Sequence, residues 1–193
     1  TVLSSGNSLP ANTWVGAAGR MPPTEVIDND SSGDVNFSQF DEADDGIDFY
    51  ESLEGMLVGV QQALVVGPTN RFGEITVVPD AGIWAAPQSS RSGLLSQPGD
   101  NNPERIIIDN RLHLPAPGVD LGSEFLDDIV GVLDYDHGNF KLINSNVLPS
   151  TTGSIIKELS SLSRTENQLT IASFNLSGMD PISADGHDDA LRI

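Results

Sequence analysis

Short apolar runs recur from residue 51 onward and limit the folds open to this chain, because each is closed by a glycine, proline, asparagine or aspartate. The longest run follows the aromatic pair Phe49-Tyr50, passes through Met56 and the leucines and valines after it, and ends at Gly67-Pro68. Apolar residues that alternate, or continue for a few positions between turn residues, are typical of β-strands. The pattern therefore predicts an all-β fold.

The spacing of the runs predicts a small Greek-key barrel of the oligonucleotide/oligosaccharide-binding (OB-like) type. About five strands with two long loops, residues 87–104 and 111–124, suit such a barrel better than a large sandwich. Glycines inside the strands suit its bulges and corners. The expected strands are 54–66, 73–79, 83–86, 105–109, 128–135 and 139–143. The last two should form a hairpin, with positive φ supplied by a turn that contains Gly138 and Asn139.

Composition divides the chain into four segments. Residues 1–49 are acidic and rich in turn formers, which predicts an extended N-terminal arm. Residues 50–148 hold the barrel, and residues 149–168 form a polar linker. Residues 169–193 read as one buried strand and the start of a helix, which cannot bury a core alone. We expect them to be the beginning of a further domain.

The net charge of the chain restricts the partners that it can bind. The chain has 28 acidic and 9 basic residues, for a formal net charge of -19. A nucleic-acid surface needs a basic patch, and the arginines between residues 71 and 111 are matched by acidic neighbours. We therefore expect weak or no nucleic-acid binding by this segment. The same charge suits a saline or extracellular habitat, where salt screens self-repulsion.

Several features that the sequence lacks exclude further kinds of site and segment. There is no cysteine, which excludes disulfides, thiolate metal sites and thiol nucleophiles. No apolar run reaches the roughly 18 residues of a membrane span, and the first residues lack the features of a signal peptide. We expect a monomer without membrane contact.

Carboxylates form two candidate groups. Glu51 and Glu54 precede the long apolar run, and by the period of two they should lie on opposite faces of a strand, where they cannot converge on one substrate atom. Residues 41–48 hold four aspartates and one glutamate. They fail the EF-hand spacing, so a solvated acidic turn is favoured over an adventitious Ca²⁺ or Mg²⁺ site.

Histidines and tryptophans offer little chemistry on their own. His137 is expected to be an exposed turn residue, and His113 a packed or surface residue. His187 lies among aspartates, which favours a solvated helix start over a metal ligand. Trp14 and Trp84 are expected to anchor the core or loops, since no basic surround favours base stacking.

A resemblance to a known family rests on several short segments. The strand Leu169-Thr170-Ile171-Ala172-Ser173-Phe174-Asn175-Leu176 resembles the opening strand of the endonuclease/exonuclease/phosphatase (deoxyribonuclease I-like) family. Residues 54–58, 72–75, 102–109 and 131–135, in that order, resemble the region that precedes the catalytic domain in large secreted bacterial nucleases. The resemblance covers roughly residues 22–193.

The resemblance implies a fold, a function and one site residue. It implies an OB-like barrel followed by a truncated start of an α/β nuclease domain. The parent protein would be a secreted, Mg²⁺- or Ca²⁺-dependent nuclease with DNA as its substrate. Asn175 matches the family's active-site asparagine, and the other catalytic residues would follow Ile193. The loop after Asn175 departs from the family, because Leu176-Ser177 replaces the more usual polar pair.

We therefore predict a non-catalytic accessory or spacer region of a nuclease. Any contact with substrate is expected through the loops 87–104 and 111–124. One alternative is an extracellular structural or polysaccharide- or protein-binding β-module with no link to nucleic acid. Another is a carbohydrate- or calcium-binding module.

Overall fold

The computed structural model describes residues 5–29 and 39–153, and seven positions beyond them: 159, 161, 163, 166, 167, 169 and 171. Contacts divide the chain into two units, Thr1–Ile156 and Lys157–Ile193. Every strand of the described residues lies in the first unit. The predicted strand at 169–176, with Asn175 and His187, lies outside the described residues apart from positions 169 and 171.

The first unit is almost entirely β-structure. The strands are β1 (Thr13–Val15), β2 (Leu57–Val60), β3 (Leu64–Gly67), β4 (Glu74–Val78), β5 (Ile106–Asp109), β6 (Glu124–Phe125), β7 (Ile129–Asp136), β8 (Asn139–Asn144) and β9 (Thr151–Thr152). They form one nine-stranded sheet that curves into a half-barrel. One α-helix, α1 (Gly46–Glu51), precedes β2. The prediction of an all-β, barrel-like fold is confirmed.

Strand order places distant parts of the sequence side by side. Across the sheet the order is β1-β2-β7-β8-β5-β4-β3-β6-β9. The pairs β1–β2 and β5–β8 are parallel, and the other pairs are antiparallel. The arm contributes β1, and the segment expected to be a linker contributes β9. The expected arm and the expected linker thus both take part in the sheet.

The core follows the period of two that the strands predict. Ile75 and Val77 of β4 are fully buried, as are Ile106 and Ile108 of β5. Each such side chain contributes roughly 1.5–3 kcal/mol when it is removed from water. The whole buried cluster comprises Val15, Phe49, Tyr50, Leu53, Val58, Val60, Ala63, Val65, Ile75, Val77, Ile106, Ile108, Val119, Phe125, Ile129, Leu133 and Leu142.

The long predicted strand 54–66 is wrong in its extent. The chain enters it from α1, and the buried residues Phe49, Tyr50 and Leu53 have helical rather than strand spacing. A helix of six residues is not stable alone, so packing of this face holds it in place. Gly55 then reverses the chain at a φ of 73°, which glycine tolerates without steric cost.

A second break divides the same run into β2 and β3. Gln62 has a φ of 45°, and its neighbour Gln61 donates a side-chain hydrogen bond of 3.1 Å to Asp128. β2 pairs with β7, whereas β3 pairs with β4 and β6. The apolar run is continuous because both strands are buried, and periodicity alone cannot place the turn between them.

The segment 83–86, expected to be a strand, is a turn. A short 3-10 helix, Asp80–Gly82, precedes it, and the backbone at Asp80, Ala81 and Gly82 has positive φ. Ile83 then has a helical φ of -61° and ψ of -33°, and the amide of Ala85 donates to the carbonyl of Gly82 at 3.2 Å, so the segment continues in turns. Apolar character without alternation misled the prediction.

The β7–β8 hairpin is confirmed, with a one-residue difference in its turn. Positive φ occurs at His137 (52°) and Gly138 (76°), while Asn139 begins β8. Two consecutive positive φ values are the geometry of a type I′ turn, which matches the twist of the flanking strands. The turn sets Tyr135 directly opposite Phe140 across the two strands.

Candidate functional site

A cleft of about 420 Å³ lies where the arm, α1 and the sheet meet. Its walls come from Ile27 of the arm, from α1, from the chain that leads into β5, and from the β7–β8 hairpin. The lining residues are Ile27, Gly46, Ile47, Tyr50, Glu51, Thr76, Asn102, Pro103, Arg105, Ile107, Tyr135, Gly138, Asn139 and Phe140. Ligand sites in proteins are commonly clefts of this size, with apolar walls and a few polar groups.

Three aromatic rings form one side of the cleft. The ring of Tyr50 stacks on that of Phe140, with centroids 5.8 Å apart and an interplanar angle of 27°. Tyr135 lies against Phe140 at 4.9 Å. Tyr50 is buried and Phe140 partly buried, but Tyr135 is 53% exposed. The cross-strand pair therefore presents an aromatic surface at the mouth of the cleft.

Two buried polar atoms of cleft residues have no hydrogen-bond partner in the protein. They are the hydroxyl of Tyr50 and Oδ1 of Asn102. Burial, followed by the charge of Glu104, raises the pKa of Tyr50, so the hydroxyl stays a neutral donor. A buried polar group without a partner costs about 1–3 kcal/mol. One donor and one acceptor of lining residues are thus left without a partner, and both atoms are closed off from solvent.

Arg105 and Glu51 are the charged residues among those that line the cleft. Nε of Arg105 donates to the main-chain oxygen of Asn102 at 2.9 Å, which holds the guanidinium at the rim. One positive and one negative side chain leave the lining with no net formal charge. The cleft thus differs from the strongly acidic chain around it.

An ionic network lies on the sheet near the same hairpin, and its groups are paired with one another. Nζ of Lys141 lies 2.6 Å from Oε1 of Glu74 and 3.8 Å from Asp136. Arg111 bridges Asp109 and Asp136. The hydrogen bond from Lys141 lowers the pKa of Glu74. Because each charged group of the network lies beside an opposite charge, we assign the network a structural role.

Three aspartates of the acidic segment 41–48 come together. Carboxylate oxygens of Asp41, Asp45 and Asp48 lie within 4.8 Å of one another. The main-chain nitrogen of Asp41 donates to Oδ2 of Asp48 at 2.8 Å, which folds the segment back on itself. Among the described residues this group has the geometry to hold a metal ion.

The structure corrects the prediction for Glu51 and Glu54. They do not lie on opposite faces of a strand, because Glu51 ends α1 and Glu54 lies in the following turn. Both are exposed and border one shallow depression together with Asp134. The period-two argument failed because the segment is not a strand.

Two histidines and both tryptophans lie within the described residues. His137 is an exposed turn residue, as predicted, and its Nδ1 lies 2.6 Å from Oδ1 of Asp136. The main-chain oxygen of His113 accepts a bond of 2.7 Å from Asn110. Trp14 packs its ring over Gly59, which confirms an anchoring role. Trp84 is exposed.

Residues 14–153 match the family model described as a domain of unknown function, DUF8508. The match covers well over half of the chain. The chain belongs to the DUF8508 family. No curated protein and no solved structure matches it.

The limits of the DUF8508 match agree closely with the described sheet. The match begins within β1 and ends one residue after β9, so the family domain includes the arm strand and the last short strand. The cleft and the three aspartates lie inside it. Within the described residues, no helix has the length and apolar character needed to cross a membrane.

The cleft was not anticipated as a site, although one signal for it was readable. The predicted hairpin places Tyr135 and Phe140 in register, which already implies a cross-strand aromatic pair. The other walls come from Ile27, α1 and Asn102, which are far apart in the sequence. Only the tertiary fold brings them together. The predicted catalytic residue, Asn175, lies outside the described residues, and its role stays a prediction.

Proposed function

We propose that the DUF8508 domain is a non-catalytic binding module whose cleft takes a neutral, hydroxyl-bearing sugar unit of a polysaccharide. The observation that carries the proposal is the aromatic surface of Tyr135 and Phe140 beside a cleft whose lining has no net formal charge. It favours the alternative reading of the sequence, a polysaccharide-binding β-module.

The chemistry of a sugar ring suits both parts of the cleft. One face of such a ring is lined by C–H groups and packs on an aromatic face, while its edge carries hydroxyl groups. A hydroxyl both donates and accepts, so the edge of a sugar can pair with exposed polar side chains of the lining, such as Arg105 and Asn139. Sites of this type obtain affinity from apolar contact and specificity from a few polar groups.

Charge supports a neutral ligand over nucleic acid. The cleft lining has no net formal charge, and the whole chain carries -19. Binding of a phosphate backbone depends on several lysines or arginines that displace counterions. Arg105 alone cannot supply the affinity that comes from displacing counterions. Its guanidinium can donate a hydrogen bond to a ring or hydroxyl oxygen.

Binding to a panel of neutral oligosaccharides, with oligothymidylate as the nucleic-acid probe, tests the proposal. We expect saturable calorimetric binding of at least one glycan by the full chain, and loss of that binding in Tyr135→Ala. Phe72→Ala is the matched control, because Phe72 is also an exposed aromatic (65%) but lies outside the cleft. Equal losses in the two variants, or binding of oligothymidylate alone, would contradict the proposal.

We further propose that in the parent protein this module accompanies a secreted, metal-dependent nuclease that acts on DNA. Support comes from the sequence resemblance of residues 54–58, 72–75, 102–109 and 131–135. These four segments lead into or lie on β2, β4, β5 and β7. In the sheet they form two adjacent pairs, β2 with β7 and β4 with β5.

In that context the Mg²⁺ or Ca²⁺ ion would belong to the following domain, where it would activate water for phosphodiester hydrolysis. The reading frame beyond Ile193 tests this context. A glutamate soon after Ile193, with paired histidine and aspartate much later, is the expected outcome. A frame that continues into β-repeats would contradict it and leave the binding module without a nuclease.

A further inference from the structure

Only one of the two carboxylate oxygens of the buried Asp45 accepts a hydrogen bond from the protein. The residue is 2% exposed. Its Oδ2 accepts a long bond of 3.3 Å from the main-chain nitrogen of Asn29, whereas Oδ1 is buried and has no partner. Within the described part of the chain, Asp45 forms no ion pair with a basic side chain. An ionised carboxylate in this setting is costly unless a cation compensates it.

The position of Asp45 makes its unpartnered oxygen more informative. Asp45 is the residue before α1, and an aspartate there usually accepts a hydrogen bond from an amide of the first helical turn. Its side chain makes no such bond. The carboxylate instead groups with those of Asp41 and Asp48, with oxygens of all three within 4.8 Å. Three acidic groups this close repel one another unless a cation lies between them.

The spacing of the oxygens suits calcium. Ca²⁺ binds oxygen at about 2.3–2.6 Å, so two ligands of one ion lie up to about 5 Å apart. Mg²⁺ binds at about 2.0–2.1 Å in a strict octahedron, which requires a tighter group. Separations of no more than 4.8 Å among the three aspartates lie within the span of Ca²⁺ ligands. Water would complete the coordination.

We propose that Asp41, Asp45 and Asp48 form a structural calcium site. The site lies where the arm meets the helix, since the amides of Gly46 and Ile47 donate to the carbonyls of Val26 and Ile27, each at 3.0 Å. An ion held by the three carboxylates would fasten the chain on both sides of Asp45. Ile27, Gly46 and Ile47 also line the cleft, so calcium would fix one cleft wall. The site requires no sugar and is independent of the function proposed above.

Calorimetric titration of the full chain with CaCl₂ tests the site. The titration is carried out in about 0.5 M NaCl, where non-specific attraction of cations to the acidic surface is screened. We expect one Ca²⁺ with a dissociation constant of about 10⁻⁴–10⁻³ M, the range of extracellular modules, and weaker binding of Mg²⁺. Absence of saturable Ca²⁺ binding, or Mg²⁺ binding as tight as that of Ca²⁺, would overturn the proposal.

Matched variants distinguish Ca²⁺ binding at the three aspartates from non-specific attraction of Ca²⁺ to the acidic surface. Asp45→Asn and Asp48→Asn each remove one proposed ligand and should weaken binding by about tenfold or more, since affinity follows the ligand charge. Asp44→Asn removes the same charge from an exposed residue of the same loop that is outside the group. It should bind within about twofold of the wild type in screened buffer. Equal losses in Asp44→Asn and Asp45→Asn would overturn the proposal.

Thermal unfolding gives a second readout that a purely structural aspartate would not show. In a chelator, Asp45→Asn should melt at or above the wild-type temperature, because it removes a buried charge without a full set of partners. In about 10 mM Ca²⁺ the wild type should melt at a higher temperature than Asp45→Asn, because only the wild type is stabilised by bound Ca²⁺. A variant that is destabilised equally with and without calcium would show that Asp45 acts through the fold alone.

Discussion

Glu104 is a carboxylate that folding removes almost entirely from water. It is 2% exposed; its Oε1 accepts a bond of 2.8 Å from the amide of Ala86, and Oε2 is buried without a partner. Burial raises the pKa of Glu104. The folded state therefore holds its proton more tightly than the unfolded state, and ionisation above the ordinary range of glutamate opposes folding.

Glu104→Gln should consequently stabilise the protein at neutral pH by about 1 kcal/mol, because it removes the buried charge and keeps an acceptor for Ala86. The gain should disappear near about pH 3, where glutamate is protonated in both states. Urea unfolding at the two pH values measures it. Glu25→Gln, at an exposed glutamate, is the control and should change little. A destabilised Glu104→Gln at neutral pH would show that the charge has a partner.

The burial of a single polar side chain is the feature that the sequence predicts least well. The local sequence around the buried Glu104 and Asp45 is like that around the exposed Glu25 and Asp44. Each of the four residues lies in an acidic, turn-rich stretch. What distinguishes them is the chain that folds over them, such as Ala86 over Glu104. Burial of a polar side chain is set by tertiary contacts, so no local pattern could predict it.

The β7–β8 hairpin is an element whose local sequence determines its geometry. Gly138 adopts a φ of 76°, and a Cβ at this position would meet no atom within 4 Å. Any cost of adding a side chain there is therefore conformational. The turn also fixes the register that places Tyr135 beside Phe140.

Gly138→Ala should destabilise the domain by about 1–2 kcal/mol, the cost of a left-handed conformation for a residue with a Cβ. Gly118→Ala is the matched control, since Gly118 also has open space but no positive φ, and it should be neutral or slightly stabilising. Chemical denaturation of both variants measures the difference. Equal stability of the two would contradict the assigned turn.

Lys141 connects β8 to β4 through Glu74, and the side chain of Lys141 is only 7% exposed. Lys141→Met should cost roughly 2 kcal/mol, below the usual range for a fully buried pair because Glu74 retains some solvent contact. Bonding to Lys141 lowers the folded-state pKa of Glu74. The stabilisation is therefore present above the unfolded pKa and lost as pH falls through the folded pKa.

Unfolding of Lys141→Met at neutral and acidic pH measures this effect, and the gap to the wild type should narrow below about pH 4. Adding Glu74→Gln to Lys141→Met should recover part of the loss, because it removes the unpaired charge. Additive effects of the two substitutions would show that the pair is not coupled.

Elements with one strong local signal were predictable, and those defined by packing were not. The hairpin, β5 and the all-β class follow from turn residues and alternation. The helix α1 was missed because six residues carry too little periodicity to separate it from the apolar run that follows. The parallel partner of β1 lies more than forty residues away, and local sequence does not encode such pairings.

At the scale of the whole molecule, the proposal that this chain is a non-catalytic module can be tested directly. The described acidic and basic groups near the cleft are few, and the network around Lys141 is internally paired. We expect the chain to show no turnover of a fluorogenic DNA substrate with Mg²⁺, Ca²⁺ or both. Deoxyribonuclease is the positive control, and turnover that copurifies with the chain and disappears in Asn175→Ala would contradict the expectation.

The central claim is that the cleft beside Tyr135 and Phe140 binds a neutral sugar. Its most direct test is a ¹H–¹⁵N correlation spectrum of the full chain during titration with the neutral oligosaccharides. We expect progressive, saturable shifts in the amides of residues 46–51, 102–107 and 135–140, and unchanged signals for the distant strands β6 and β9. Spectra that do not change with any glycan, or shifts confined to residues outside the cleft, would contradict the account.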